Sequence, residues 1–469
     1  MAPLFAVMLL VILALMGLAL DGSRLFNRRV ELQAVADFAA MSAAQKLVGT
    51  AAGIDDALAA AAAAASVQKY KYGKSSIAWS DAAVEFSDSP TSGWMGAPAA
   101  RATPENMLFV RVDTAALSAD NGTIDLVFAK LKAKDRTGAT SASAVAGRST
   151  VNLTPLAVCA MSPMPAASRP PNAELVEYGF RRGVAYDLMQ LNPAGTTPAN
   201  FIINPIDLGT GVGKVSNTAP AVVAPFVCTG TMPAVGGVGG RLHVSQPFPI
   251  AALFEHLNSR FGQYPDAAAC DFRAAPPDTN IKQFNFDSTP SWMKTAPSGQ
   301  TAKQRIETKR LHTVADLIPK AAGEPLDPDP PTAAMYGQMW SYARPVPHSA
   351  YTAGVPEPTT GYTPFPSTMW PSLYAPGAPE PKGSYPALTP YMTGNTYHTA
   401  PPAIYGRPVR HRRVLHVPLV DCPVAGSNAT VRAIGRFFMT VPATSTSINA
   451  EFAGIASGQS LQGAVELFK

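Results

Sequence analysis

The first twenty residues of the chain are apolar and carry no charge. At about 1.5 Å of rise per residue, a helix of this length spans a bilayer's hydrocarbon core of roughly 30 Å. A signal peptide would show a basic start, a shorter apolar run and a small-residue cleavage site, and a helix apolar on every side suits lipid better than a buried core. The pattern therefore predicts a transmembrane helix over residues 1–22. A signal peptide and a buried core helix are the alternatives.

Beyond residue 22 the pattern becomes amphipathic. No proline occurs between Leu4 and Ala52, and residues 57–65 are almost entirely alanine, which favours helix. We therefore predict that one amphipathic stalk helix covers residues 23–72. Its apolar positions include Phe26, Val30, Val35, Phe38 and Met41.

Small residues occupy one face of this predicted stalk. Such a face permits close approach of a second helix, so we predict self-association through it. The residues are Ala36, Ala39, Ala40, Ala43 and Ala44.

A short motif follows the apolar run. It consists of an aspartate that closes the run, basic residues, and a Leu-Gln-x-x-x-Asp-x-x-Ala segment. Its residues are Asp21, Arg24, Arg28, Leu32, Gln33, Asp37 and Ala40. In this order the segment resembles the TadG-like (TadE/TadG-like) proteins of the Tad (Flp) pilus-assembly machinery, and a weaker likeness extends over residues 107–146.

The resemblance implies a non-enzymatic, membrane-anchored structural or accessory component of pilus assembly, which acts through protein–protein contacts in the periplasm. It implies a single pass through the bacterial inner membrane, with inner-membrane lipid and other pilus-assembly components as partners. Family members usually carry a basic leader that this sequence lacks, and Arg24, Arg28 and Arg29 behind the span would favour a cytoplasmic body. We follow the family, because a basic leader ahead of Met1 would reconcile the two orientations.

The rest of the chain predicts an α+β body that is β-rich and loop-rich with few helices. Residues 73–162 show strand patterns at 76–86 and 106–113, a helical pattern at 124–132 and further alternation at 138–154. These patterns predict a small α+β unit.

Residues 163–323 form an irregular α+β region. We expect strands at 201–205 and 222–227, and the clearest helix outside the stalk at 248–261, where apolar residues recur with helical spacing.

Residues 324–408 are rich in proline and aromatic residues. An ordered, proline-braced surface layer, a polyproline recognition segment and a flexible linker are the alternatives. We favour the ordered layer, because tryptophan and tyrosine supply large apolar areas to bury. In residues 409–469, alternation at 412–420, 430–440 and 449–455 predicts C-terminal β-strands that return to the core.

The four cysteines are widely spaced and include no CxxC pair. This spacing excludes zinc-ribbon and thioredoxin-type motifs, and in an exported body it suggests two disulfides. Cys159 and Cys422 both come at strand ends, while Cys228 and Cys270 flank the predicted helix at 248–261. The bridges Cys159–Cys422 and Cys228–Cys270 are one of three connectivities.

Charge gives little support to a nucleic-acid partner, because the net charge is +5 and charged residues make up 15% of the chain. The one dense basic cluster could meet anionic lipid, lipopolysaccharide or an acidic partner, but we favour a solvated loop before a strand. Its residues are Arg407, Arg410, His411, Arg412 and Arg413.

We predict no enzyme, no cofactor and no metal site. The sequence has no GxSxG, Walker, HExxH or helix-opening GxGxxG motif. Some relatives of the family carry a von Willebrand A domain, and residues 287–291 (DSTPS) come nearest to its metal loop, but Pro290 favours an ordinary turn. The alternative function is a membrane-tethered surface adhesin or a periplasmic binding protein that uses the Pro/aromatic-rich region.

Overall fold

The chain divides into two compact units in the computed structural model. The first is Met1–Thr150 together with Gln462–Lys469, and the second is Val151–Leu461. The structure describes residues 2–47, 50–70, 74–104, 107–127, 137–148, 150–205, 217–233, 241–264, 270–286, 291–307, 310–313, 332–374, 377, 379–457, 461 and 465–468.

Strands outnumber helices in the described residues, which confirms the predicted β-rich body. The longer helices are α1 (Ala2–Ala44), α2 (Ala51–Val67), α3 (Pro220–Thr229) and α4 (Ile250–Leu257). The strands of the two main sheets are β1 (Val84–Ser87), β2 (Phe109–Asp113), β3 (Ser143–Arg148), β4 (Leu156–Cys159), β5 (Ala185–Asp187), β6 (Asn200–Ile203), β7 (Arg241–Ser245), β8 (Val414–Val420), β9 (Asn428–Met439), β10 (Asn449–Ile455) and β11 (Val465–Phe468).

Shorter elements accompany these. They include the single-turn helices Ala97–Ala100, Ala119–Gly122 and Trp370–Leu373. Two-stranded pairs are Lys69–Tyr70 with Ser75–Ser76, Thr123–Asp125 with Thr137–Ala139, and Gln304–Glu307 with Arg310–Thr313. Ala167–Arg169, Glu174–Glu177 and Phe180–Arg181 form a three-stranded sheet.

The predicted single stalk helix is wrong beyond residue 44. Helix α1 ends at Ala44, and a new helix, α2, starts at Ala51 and ends at Val67. The Thr50 side chain caps α2 by accepting a hydrogen bond of 3.1 Å from the Gly53 amide. Helix α2 packs against α1, and Ala57 and Ala61 on α2 are fully buried in the contact. The chain thus forms a helix pair where a continuous stalk was predicted.

The first unit places this helix pair on a four-stranded antiparallel sheet. The strand order is β11–β3–β2–β1, so the last strand of the chain pairs with β3. Val84, Phe86, Val110 and Val112 alternate along β1 and β2 and are buried under the alanines of the helices.

The second unit contains a seven-stranded sheet in the order β5–β10–β9–β7–β6–β4–β8. Strand β8 also pairs with β9, so the five strands from β9 to β8 close into a ring. Only the β4–β8 pair among these is parallel, with Val158 opposite Leu419. In β4, Val158 contributes to one hydrophobic core and Ala157 to another, as the alternation of strand side chains requires.

The described residues of the Pro/aromatic-rich segment pack into the second unit, as the ordered alternative predicts. Trp340 and Trp370 are at most 1% exposed and lie 4.5 Å apart between ring centroids. Both belong to the larger hydrophobic core of the second unit, together with Tyr374 and Tyr391. The segment therefore supplies core residues, whereas the sequence predicted a surface layer.

Three local predictions need correction. Residues 222–227, predicted as a strand, lie in α3, which Pro220 starts by fixing a helical φ angle. A short apolar run does not by itself distinguish strand from helix. The helical pattern at 124–132 begins as the strand Thr123–Asp125, and residues 128–136 lie outside the described part. The pattern at 76–86 is interrupted by a 3₁₀ turn at Asp81–Ala83.

Several other predicted elements are confirmed. Strands occur within the predicted ranges at β2, β3, β8 and β10, and the predicted helix at 248–261 is α4 followed by the 3₁₀ turn Asn258–Phe261. Among the described residues, no helix is long and apolar enough to cross a membrane.

Candidate functional site

The motif residues of α1 bind this helix to the rest of the first unit. Asp21 is buried, and its Oδ1 accepts a hydrogen bond of 2.9 Å from the Val127 amide. Arg28 donates from Nη1 to the Asn121 carbonyl at 3.0 Å and from Nε to Glu31 at 3.1 Å. Its guanidinium also lies 4.8 Å from the centroid of the Tyr70 ring, close enough for a cation–π contact.

The second half of the motif continues these contacts one and two turns further along α1. The Gln33 Nε2 donates both to Asp37 Oδ1 at 2.7 Å and to the Ser143 carbonyl, at the start of β3, at 3.0 Å. Leu32 and Ala40 are buried in hydrophobic clusters of the same unit. The motif therefore has a structural role, because it fixes the orientation of α1 on the sheet.

Arg24 differs from the other motif residues because it is exposed. It lines a shallow cavity of about 300 Å³ together with Arg28, Glu31 and Asp125. Charges of both signs surround this cavity, so it has no clear preference for an anion or a cation.

The alanine face predicted to mediate self-association is already covered within the chain. Ala36, Ala39, Ala40, Ala43 and Ala44 are fully buried against α2 and the sheet. A second copy could reach them only if the unit opened. The prediction of self-association through this face is therefore corrected.

Large apolar side chains point to solvent on another face of α1. Phe26, Val30 and Phe38 are 67%, 51% and 44% exposed. Spacings of four and eight residues place them along one side of the helix. We call these three residues the apolar stripe.

The exposed apolar surface also extends along the N-terminal half of α1. The described side chains that contribute to it are Phe5, Met8, Leu9, Val11, Ile12, Leu13, Leu15, Met16, Leu18 and Leu20. Soluble monomers rarely leave so large a contiguous apolar patch exposed, and such patches mark contact with protein or lipid. This surface, with the apolar stripe, is the candidate functional site.

Comparison with known proteins finds that this same helix is similar to a family model. Residues 1–46 match the family model described as putative Flp pilus-assembly TadE/G-like. The match ends two residues beyond α1 and confirms the predicted resemblance for this TadE/G-like segment. No curated protein and no solved structure matches the chain.

The two disulfides lie in the second unit, outside the TadE/G-like segment. The structure joins Cys159 to Cys422 and Cys228 to Cys270, with Cα atoms 5.6 Å apart in each pair. These are the two favoured bridges. Cys159 lies opposite Val420 in the β4–β8 register, and Cys422 follows shortly after Val420. The first bridge therefore joins two chain segments that the strand pairing already holds side by side.

The basic cluster is only partly the solvated loop that the sequence favoured. Arg410 and His411 are exposed, whereas Arg413 is fully buried and Arg412 is half-buried. Arg412 donates from Nη2 to the Cys228 carbonyl at 2.9 Å and from Nε to the Pro276 carbonyl at 3.1 Å. The end of the cluster therefore connects distant loops to the start of β8.

The remaining predictions concern metal sites. Residues 287–290 lie outside the described part, so the candidate metal loop is not examined by the structure. In the described part, no group of three or more His, Cys, Asp or Glu side chains could hold a metal ion.

Buried ion pairs are a feature that the sequence reasoning missed. Arg181 and Glu174 pair at 2.8 Å with side chains 1% exposed, and Arg182 pairs with Glu177 at 2.7 Å and with Glu357 at 2.8 Å. Burial opposes the charge on Arg181, but Glu174 outweighs it, and the pKa of Arg181 is raised. The only sequence signal was the mixture of basic and aromatic residues at 178–191.

Proposed function

We propose that the chain is a non-enzymatic, membrane-associated accessory component of Tad (Flp) pilus assembly, acting through protein–protein contacts. The observation that carries the proposal is that the TadE/G-like segment coincides with the helix whose large apolar side chains are exposed. A helix that keeps such side chains in water is costly unless lipid or another protein covers them.

The two parts of the exposed surface suit two kinds of contact. The N-terminal half of α1 is apolar on several sides and carries no charge before Asp21, which suits insertion into the inner membrane. The apolar stripe is narrower, and exposed Arg24 and Arg29 lie near it. A stripe of this width suits packing against one helix of a pilus-assembly partner.

The proposal places the body in the periplasm. Disulfides form and persist in oxidising compartments and are rare in the cytosol. The two bridges in the second unit agree with export of the body.

The stripe is tested by the double variant Phe26→Ser/Phe38→Ser in a strain that makes Tad pili. The matched control is Leu388→Ser/Ile404→Ser, which removes two apolar side chains that are 58% and 74% exposed in the second unit. We expect the stripe variant to lose co-purification with pilus-assembly components and to reduce piliation, while the control retains both. Equal behaviour of the two variants would contradict the proposed contact.

Membrane association is tested separately with Leu13→Arg and Leu15→Arg, whose side chains are 49% and 62% exposed. We expect these variants to leave the membrane fraction after alkaline extraction, because a charged side chain is costly in lipid. Retention equal to that of the unchanged chain would contradict anchoring by α1.

The adhesin alternative has less support, because Trp340 and Trp370 lie in the core and do not offer their rings to a ligand. Protease treatment of intact cells distinguishes the two functions. A periplasmic assembly component is protected, whereas an adhesin is cleaved.

A further inference from the structure

A cavity of about 570 Å³ in the second unit is lined by an unusual concentration of cations. Its basic lining residues are Arg260, Arg410, His411, Arg412, His416 and Arg436, and no described aspartate or glutamate lines it. They come from the turn after α4, from the segment before β8, and from β8 and β9. Residues distant in sequence thus converge on one positively charged space.

Arg260 shows most clearly that the positive charge of this cavity is not balanced by neighbouring carboxylates. Its side chain is 1% exposed, and its Nη1 donates to the Val227 carbonyl at 3.0 Å and to the Leu257 carbonyl at 3.3 Å. Its Nε has no hydrogen-bond partner among the described residues. Burial and the charge of Arg412 lower the pKa of Arg260, as expected for a buried cation without a carboxylate partner.

Arg260 and Arg412 approach the same point of the backbone. A Cβ atom added at Gly230 would lie 2.6 Å from Arg260 Nη2 and 3.3 Å from Arg412 Nη1. Gly230 has a φ of 73°, which glycine adopts without strain, and it leaves the space that both guanidinium groups occupy. Two like charges held this close repel each other unless an anion lies between or beside them.

On the strand side of the cavity, an arginine lies beside a histidine. His416 on β8 lies directly opposite Arg436 on β9 in the sheet register. Burial, followed by the charges of Arg436 and Arg260, lowers the pKa of His416 to about 4. Arg436 has one carboxylate partner, Glu357 at 2.8 Å, but its Nε has no hydrogen-bond partner in the described part of the chain.

The acidic group that interacts with Arg412 does not fill the cavity. Asp278 interacts electrostatically with Arg412, but its oxygens already accept hydrogen bonds from the Tyr391 hydroxyl at 2.7 Å and from the amides of Asn280 and Arg413 at 2.9 and 3.0 Å. Asp278 is fully buried and is absent from the cavity lining. Asp278 therefore offsets part of the charge of Arg412 and Arg413, and the cavity lining remains positively charged.

We infer that this cavity binds a tetrahedral oxyanion of the phosphate class, either free or as the terminal group of a small phosphomonoester. Guanidinium groups from separate elements can each donate to a different oxygen of such an anion. The exposed Arg410 and His411 lie among the lining residues, where an anion can enter from solvent. This site is independent of the proposed role of α1.

The test measures binding of inorganic phosphate and of glycerol 3-phosphate to the full chain by calorimetry at neutral pH. Chloride at equal ionic strength serves as the reference. We expect saturable binding of at least one of the two ligands. Tighter binding of inorganic phosphate assigns a free anion, and tighter binding of glycerol 3-phosphate assigns an esterified one.

Two variants and a control locate the site. Arg436→Gln should weaken binding by about tenfold or more, because it removes a partly buried, charge-assisted donor. Arg410→Gln removes an exposed charge, should weaken binding roughly two- to fivefold, and keeps the test valid if Arg436→Gln does not fold. Arg432→Gln, an exposed arginine of β9 that does not line the cavity, should leave binding unchanged.

Two results would overturn the inference. One is the absence of saturable binding of either ligand beyond the chloride reference. The other is binding that Arg410→Gln and Arg432→Gln leave equally unchanged.

Discussion

Replacing Arg413 by lysine tests whether buried arginines without carboxylate contacts hold the second unit together. Arg413 is fully buried, and its guanidinium uses all five N–H donors on backbone carbonyls. Nε and Nη2 both donate to the Met439 carbonyl, at 3.0 and 2.6 Å, and Nη2 also donates to the Thr440 carbonyl at 2.9 Å. Nη1 donates to the carbonyls of Asn280 and Lys282 at 3.0 and 2.7 Å.

The size of the effect follows from the number of donors lost. Burial lowers the pKa of Arg413 to about 9, so the side chain remains charged at neutral pH. A lysine ammonium has three donors, and at least two of the five hydrogen bonds must therefore be lost. At about 1.5–3 kcal/mol for each hydrogen bond to a charged group, Arg413→Lys should lower the free energy of unfolding by roughly 3–6 kcal/mol.

The aromatic contacts of Arg413 add to the expected loss. Its guanidinium carbon lies 4.3 Å from the ring centroid of Phe261 and 4.4 Å from that of Phe438. A planar guanidinium stacks on such rings, and an ammonium lacks that planar geometry.

The measurement is urea denaturation of the full chain, followed by the fluorescence of its tryptophans. Arg432→Lys is the control, because Arg432 lies on β9 of the same unit but is exposed and pairs with Asp421. The control should unfold like the unchanged chain. If Arg413→Lys also unfolds within about 1 kcal/mol of the unchanged chain, the hydrogen bonds to the carbonyls do not stabilise the fold as argued.

Three further predictions concern the second unit. Replacing Cys159 and Cys422 by serine should lower the free energy of unfolding by about 5–6 kcal/mol on the loop-entropy model, because this bridge spans 263 residues; removing the other bridge, which spans 42, should cost about 4 kcal/mol. Burial raises the pKa of Glu451 to about 7 from its ordinary 4.5, so its folded form binds the extra proton between these values. The unfolding free energy of the unchanged chain should therefore fall by roughly 3 kcal/mol more than that of Glu451→Gln as pH rises from 4.5 to 7, and parallel curves would contradict this. Burial raises the pKa of Tyr342 and Tyr264 to about 12, so stability from these groups is present below pH 10 and is lost as pH rises through 12; absorbance at 295 nm should show their ionisation near pH 12 in the folded chain and near pH 10 only after unfolding.

The sequence predicted elements well where local chemistry decides them. Strand β10 and the first helix were predictable because alternation and helical spacing persisted without interruption. The bridge between Cys159 and Cys422 was one of three possible connectivities, and it was favoured because Cys159 ends β4 and Cys422 follows soon after β8. The motif was recognisable, but its role in docking α1 depends on hydrogen bonds to residues 93 to 110 positions further along the chain.

Other features depend on which face of a helix packs against the rest of the unit, and no local sequence pattern shows this. The helical spacing of apolar residues does not distinguish exposed Phe26, Val30 and Phe38 from buried Val35. The sheet and α2 cover the alanine face of α1 and leave the side chains of the apolar stripe exposed. The break after Ala44 was missed because alanine-rich sequence continues on both sides of it.

The cationic cavity is the least predictable feature. Its lining arginines are separated by up to 176 positions, from Arg260 to Arg436, and each is unremarkable in its own segment. They meet only in the folded second unit, where Arg436 lies on β9 and the other arginines lie in turns and loops.

The pairing of β11 with β3 has a consequence for the order of events during synthesis. Residues 465–468 leave the ribosome after all of residues 151–461, so the sheet of the first unit waits for its edge strand until the second unit has been made. Until then β3 presents an unpaired edge, which can pair with a strand of another chain. A chain interrupted before residue 465 could complete its second unit but would keep that edge open, and its earliest-made unit would be the last to finish folding.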